Sequence, residues 1–137
     1  MDGRSPLADA APAGIPDVGP RWGVALTAAG GEGLAPSADW TRFVDDGRLP
    51  PTSDGAGFGI DFATDLDLLA HHSVRSLRWT IDWSRLEPAP GRWDGDAVDH
   101  ITEVLRAARR AGVDVWAVLH DGPVPGWFTD DQRGFLD

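Results

Sequence analysis

Apolar positions along the chain follow two spacings, and each predicts an element. Trp22-Gly23-Val24-Ala25-Leu26-Thr27 is a short apolar run that breaks into Gly30-Gly31-Glu32-Gly33, which reads as a buried strand running into a glycine turn. Residues 34–60 are rich in Pro and Gly, so they are expected as loop, with room for one short helix over Ser37–Val44. Phe62, Leu66 and Leu69 then recur at i, i+4 and i+7, which predicts a helix from about Asp61 to His72, with Asp61 and Asp65 near its positive amino-terminal end. Ser76–Trp83 alternates: Leu77, Trp79, Ile81 and Trp83 fall on one face and Arg78, Thr80 and Asp82 on the other. Asp94 can cap a second helix to about Arg110, with Val98, Ile101, Leu105 and Ala108 inward and Gly112 at the stop. Val113–Leu119 is a near-continuous apolar run, as expected for a parallel strand covered on both sides, and it ends in the turn His120-Asp121-Gly122-Pro123.

The resulting order, β-α-β-α-β with long loops after the strands, is the pattern of a parallel α/β sheet. Ligands in such sheets sit beyond the carboxyl ends of the strands. Those ends carry Glu32, the stretch Asp82 to Glu87, and His120-Asp121. Residues 1–20 hold four prolines and no periodicity, which predicts a flexible Ala/Pro/Gly tail before an ordered region over 21–137.

Composition narrows the chemistry. Among 137 residues there are 12 Lys+Arg against 22 Asp+Glu, a net charge of −10. That balance argues against nucleic acid or an anionic membrane as partner. All 12 cations are Arg, which removes lysine Schiff-base and P-loop chemistry. The absence of Cys removes disulfides, thiolate catalysis and zinc-finger sites. No apolar run reaches the roughly 18 residues of a membrane span, and Met1-Asp2-Gly3-Arg4 does not open a secretory signal; a cytoplasmic chain is the expectation.

Few side chains stand out as chemistry-bearing. There is no Gly-x-Ser-x-Gly elbow, and the cluster Gly55, Gly57, Gly59 lacks the strand–turn–helix context of a phosphate loop. His71 and His72, adjacent on a helix, suit solvation better than a shared metal, and the Asp residues from 94 to 99 complement a helix start. His120, at a strand's carboxyl end, is equally a site residue or a structural one. Arg78 lies among apolar neighbours on a strand, so its charge requires a carboxylate. Either it makes an internal ion pair with Asp82 or Glu32, or it holds and tunes a catalytic carboxylate. Seven Trp and five Phe serve a core first, although Trp faces also stack on sugars and nucleobases.

These residues resemble a known family. Trp22-Gly23-Val24-Ala25 with Glu32-Gly33 is similar to the amino-terminal signature of glycoside hydrolase family 1, the β-glucosidase type. Arg78-Trp79-Thr80-Ile81-Asp82-Trp83-Ser84-Arg85-Leu86-Glu87-Pro88 is similar to that family's second-strand motif, Arg-Phe-Ser-Ile-x-Trp-x-Arg-x-x-Pro. Ala108 to Leu119 resembles its passage from helix to third strand, and Pro125-Gly126-Trp127-Phe128 with Gly134-Phe135-Leu136 resembles the loop that follows. The matches run in the family's order over nearly all of 21–137.

The resemblance implies the first three β/α units of an eight-stranded (β/α) TIM barrel, no cofactor and no metal, and a retaining mechanism with two carboxyl groups about 5–5.5 Å apart. It implies that the acid/base Glu follows strand four, in Asn-Glu-Pro, and that the nucleophile Glu follows strand seven. Here only Glu32, Glu87 and Glu103 occur and there is no Asn, so a chain truncated before both catalytic residues and inactive alone is expected. The candidate substrate-binding residues are Glu32, Arg78, His120, Asp121 and Trp127. Arg78 matches the Arg that contacts the nucleophile in the family. The family's sugar-gripping Gln falls on Gly30, and its His-Trp pair falls on Asp121-Gly122 with His120 one position early. The partners implied are a carbohydrate and, through open sheet edges, a complementary barrel fragment or a second copy; nucleic acid and membrane are not expected. Two other readings stay open: a non-catalytic interaction module, and the product of a decayed or split reading frame.

Overall fold

The computed structural model describes residues 22–136. The tail expected over 1–20 lies outside the described residues. Three strands, β1 (Gly23–Leu26), β2 (Ser76–Thr80) and β3 (Asp114–Val118), form one parallel sheet in the order β1-β2-β3. Between them run α1 (Ala28–Glu32), α2 (Thr41–Asp45) and α3 (Phe58–His71), then α4 (Trp83–Leu86) and α5 (Gly95–Ala111); α6 (Gly126–Asp130) follows β3. The β-α-β-α-β order is thus present, with four short helices inserted into the stretches after the strands.

The register places Val24, Leu77 and Val115 in one row across the sheet and Ala25, Arg78 and Trp116 in the next. Successive side chains on a strand point to opposite faces, so the two rows belong to opposite sides. The first side is the core. Leu77 and Trp79 of β2, Phe58 and Leu66 of α3, and Val104 and Ala108 of α5 are all buried there. Each large side chain so enclosed contributes about 1.5–3 kcal/mol relative to exposure. Among the described residues no helix covers the opposite side, where Trp116 is 70% exposed.

Several expectations change. The glycines after β1 do not form an open turn; Thr27 accepts a hydrogen bond from Gly30 N–H (3.1 Å) and starts α1, so a short capped helix forms where propensity argues against one. Helix α3 begins at Phe58, three residues before the expected Asp61, because burial of Phe58 holds the first turn in place. The α2 segment lies a few residues beyond the expected start at Ser37. In α5 the inward stripe is Val104, Ala107 and Ala108, whereas Val98 and Leu105 are exposed; the capping Asp94 and the left-handed Gly112 stand as expected. Strand β2 ends at Thr80 instead of Trp83, since Asp82 caps α4 and turns the chain. Strand β3 is an edge strand with most of its residues exposed, so its apolar run is not covered on both sides.

Candidate functional site

The carboxyl ends of the three strands gather the candidate residues, but into separate groups. On the bare face, Arg78 Nη2 donates to Asp121 Oδ2 at 2.8 Å, with the two side chains 43% and 41% exposed. Asp121 is therefore the carboxylate that Arg78 requires, in place of the expected Asp82 or Glu32. The guanidinium is half-exposed, because the sheet face beside it has no cover. Arg78 lines a shallow groove of about 480 Å³ together with Ala25, Trp116 and Val118.

His120 and Trp127 belong to one aromatic series above the strand ends. The His120 ring lies 5.1 Å from Phe135, Phe135 4.9 Å from Phe128, and Phe128 6.0 Å from Trp127, while Trp127 meets Trp83 edge-on at 5.6 Å. Trp127 Nε1 donates to the Glu87 carbonyl (2.9 Å) and Trp83 Nε1 to Glu87 Oε2 (2.8 Å), so Glu87 fixes both indoles. Glu87 works here as a structural clamp.

Glu32 belongs to a third group. Its side chain, 8% exposed, faces Arg85 (Nε to Oε2, 3.7 Å) and His100 (Nε2 to Oε1, 3.6 Å). Arg85 Nε also approaches Asp82 Oδ2 at 3.5 Å, and the Asp82 side chain is 1% exposed. Arg85 Nη2 is held by the carbonyls of Glu32 (2.9 Å) and Gly33 (2.8 Å), which ties α4 to the end of α1. Asp82 Oδ1 accepts Ser84 N–H at 2.8 Å. Burial pushes the Asp82 carboxyl above the usual carboxylate range, against the lowering pull of the Ser84 hydrogen bonds and of Arg85. Asp82 and Arg85 lie in the strand-end stretch Asp82 to Glu87 that the sequence marks, but their pairing with each other and with Glu32 was not read from it, and His100 escaped it altogether. The i, i+3 spacing of Asp82 and Arg85 was a readable signal, but it was hidden by assigning both to the strand and the loop after it.

The raised Asp82 carboxyl sets a sign for pH. Protonated in the fold at a pH where it already ionises in the unfolded chain, this group favours folding at low pH. That contribution is lost as pH rises from the ordinary value of about 3.9 through the raised one. Asp82→Asn retains an acceptor for Ser84 N–H and removes the titration. It is expected to flatten this part of the profile, as urea melts between pH 3.5 and 7 would record.

Among the described residues no three His, Cys, Asp or Glu side chains are grouped so as to hold a metal ion, and no helix is long and apolar enough to cross a membrane. No family model matches the chain. Over 109 residues, 77% of this chain, it is 26% identical to Beta-glucosidase 22 of Oryza sativa subsp. japonica, of which it covers 20%. Among solved structures, the beta-glycosidase from Pyrococcus horikoshii superposes with a TM-score of 0.76 at 27% identity, over 84% of this chain and 27% of that one. The apo structure of a beta-glucosidase 1317 gives 0.72 at 28% identity, over 83% of this chain and 29% of that one.

The chain resembles part of a β-glycosidase. It spans about a fifth of the length of the curated relative and somewhat more than a quarter of the solved structures. The three-stranded parallel sheet corresponds to part of a (β/α)8 barrel, as the motifs implied. In a β-glycosidase barrel the face bearing Ala25, Arg78 and Trp116 is the one turned to the interior, opposite the helices. Arg78 and Asp121 lie on the helix-free face of the sheet, and the Glu32 group lies in a separate cleft bordered by α3 and α5.

Proposed function

We propose that this chain forms the amino-terminal part of a family-1-type retaining glycosidase barrel, in which it supplies the Arg78 side of the interior wall and the aromatic rim. The observation that carries the reading is the coincidence of motif order with fold. Arg78 lies on the inner face of the second strand of a parallel sheet that superposes on β-glycosidases. Hydrolysis of an O-glycosidic bond by retention needs two carboxyl groups about 5–5.5 Å apart. The described inner face offers Asp121, and its charge is spent on Arg78. In this reading Asp121 occupies the guanidinium until a barrel carboxylate replaces it, and the chain alone does no chemistry. Its substrate would be a β-glycoside and its location the cytoplasm.

Purified chain incubated with nitrophenyl β-glycosides is expected to release no nitrophenol. Release that survives both Arg78→Ala and Glu32→Ala would demand a site elsewhere and would overturn the proposal.

Among the described residues no further strand lies beyond β1 or β3, and with the exposed Trp116 and Leu119 this favours a second reading, a module completed by a partner. The partner proposed is a complementary set of parallel strands from a β-glycosidase-type barrel, which would pair with both edges and cover the inner face. Light scattering at rising concentration, with and without such a segment, tests this. A chain that stays monomeric and ignores the segment counts against it.

A further inference from the structure

Asp121, the carboxylate that holds Arg78, sits on a stretch of chain with little hold of its own. After β3 ends at Val118, residues 119–123 make no backbone–backbone hydrogen bond among the described residues. Gly122, in the middle of this stretch, has φ +101° and no side chain to anchor it. The first firm point is Val124, and another loop holds it. Asp39 N–H donates to the Val124 carbonyl (2.8 Å), and Val124 N–H donates back to Asp39 Oδ1 (3.0 Å). Val124 is buried, so its N–H needs that acceptor, because buried backbone groups are nearly always paired.

Neighbouring contacts extend the same join. Gly126 N–H donates to the Ser37 carbonyl (2.8 Å), and Ala38 and Pro125 form an isolated antiparallel bridge. The Trp40 ring lies against Gly122, 3.5 Å from where a Cβ would stand. The loops after β1 and β3, strands on either side of β2, are thus zipped together. The Arg78–Asp121 hydrogen bond is 2.8 Å long, so a displacement of Asp121 by about 1 Å takes it out of bonding range. We propose that Asp39 is a positioning residue: acting through Val124, it keeps the Asp121 carboxylate on the Arg78 guanidinium. The consequence for catalysis rests on the barrel reading, in which Arg78 passes to a catalytic carboxylate. Asp121 must then move, and the join to Asp39 is what gives way.

The test is the exchange with water of the Arg78 guanidinium N–H signals in the isotopically labelled chain, assigned by their disappearance in Arg78→Ala. Asp121→Ala sets the rate of the unpaired guanidinium. Asp39→Ala is expected to speed exchange about tenfold towards that rate, the loss of one charge-assisted hydrogen bond. Asp39→Asn keeps a side-chain carbonyl for Val124 N–H and should retain the parental rate. Arg42→Ala cuts the Arg42–Asp130 ion pair (2.7 Å) between the same loops and should also retain it. An Asp39 with a structural role only would lower the melting temperature and leave the Arg78 signals alone. That result in folded Asp39→Ala would overturn the proposal, as would equal acceleration in Arg42→Ala. If Asp39→Ala fails to fold, the parent in rising urea below its melt decides: Val124 amide protection and the slow Arg78 signals should be lost together. Arg78 signals that outlast the Val124 amide would overturn the proposal. Nitrophenol release surviving Arg78→Ala and Glu32→Ala would overturn the glycosidase reading without moving these signals, so the two failures are distinguishable.

Discussion

Arg85→Ala is expected to lower the stability of the folded chain by about 3 kcal/mol near neutral pH, and by clearly less near pH 4. Arg85 is the shared cation of Glu32 and Asp82, two carboxylates whose side chains are 8% and 1% exposed. Removing one partner of a buried ion pair costs about 3–5 kcal/mol, because the remaining charge stays out of water. The lower end applies, since the Arg85 side chain itself is a third exposed. The variant also loses the two hydrogen bonds to the Glu32 and Gly33 carbonyls, which join α4 to α1. Lowering the pH protonates the stranded carboxyls and relieves part of the penalty, so the gap between variant and parent should narrow in acid. Urea melts of both proteins at pH 7 and pH 4 measure this; an equal gap at the two pH values would show that the loss is one of packing and not of charge.

Gly33→Ala is expected to be at least as damaging and to show no such pH dependence. Gly33 has φ +77°, in the left-handed region, and an added Cβ would lie 1.8 Å from the Ser53 carbonyl oxygen, well inside contact distance. The backbone on both sides must move, and with it the Glu32 and Gly33 carbonyls that hold Arg85. Strain of this kind, combined with overpacking, costs several kcal/mol, on the order of 3 or more. In a domain whose total stability is about 5–15 kcal/mol that is a large fraction. The expected result is a lowered melting temperature at every pH. Retention of the parental melt would mean that the approach of residues 33 and 53 does not constrain the fold.

Much of the fold was legible because its strands and long helices are periodic. The alternation Leu77-Arg78-Trp79-Thr80 and the i, i+4, i+7 stripe of Phe62, Leu66 and Leu69 are local consequences of one buried face, and both elements are present, with α3 starting three residues early and β2 ending three residues short of the pattern. Of the short helices only α2 was expected, over Ser37–Val44, and the others were not legible for a physical reason. Residues 28–32, Ala-Ala-Gly-Gly-Glu, are helical because Thr27 caps them and the chain around them is packed, and neither effect is visible in their own propensities. Residues 126–130 repeat the lesson, with Trp127 anchored to Glu87 forty positions earlier.

For the site, residue types were readable but pairings were not. That Arg78 needs a carboxylate follows from its strand. Which carboxylate depends on β3 lying beside β2 and delivering Asp121, a tertiary fact. Glu32 was singled out by motif, yet its companions Asp82 and Arg85 at α4 and His100 on α5 come from two other segments of chain, and only the fold assembles them.

The sequential strand order has a consequence for where this chain tolerates growth. Forty-nine residues separate Leu26 from Ser76, and thirty-three separate Thr80 from Asp114. Loop-closure entropy rises only with the logarithm of length, so the longer connection costs about 0.3 kcal/mol more than the shorter. The additional residues, with their short helices and turns, lie after the strands and build the surroundings of Glu32. Insertions there enlarge the walls of the cleft almost without entropic cost, whereas one residue added within β2 would exchange its two faces, exposing Leu77 and burying Arg78. Variation in this molecule is thus channelled by chain statistics to the end of the sheet where ligands are met, while the strands beneath are held to their register.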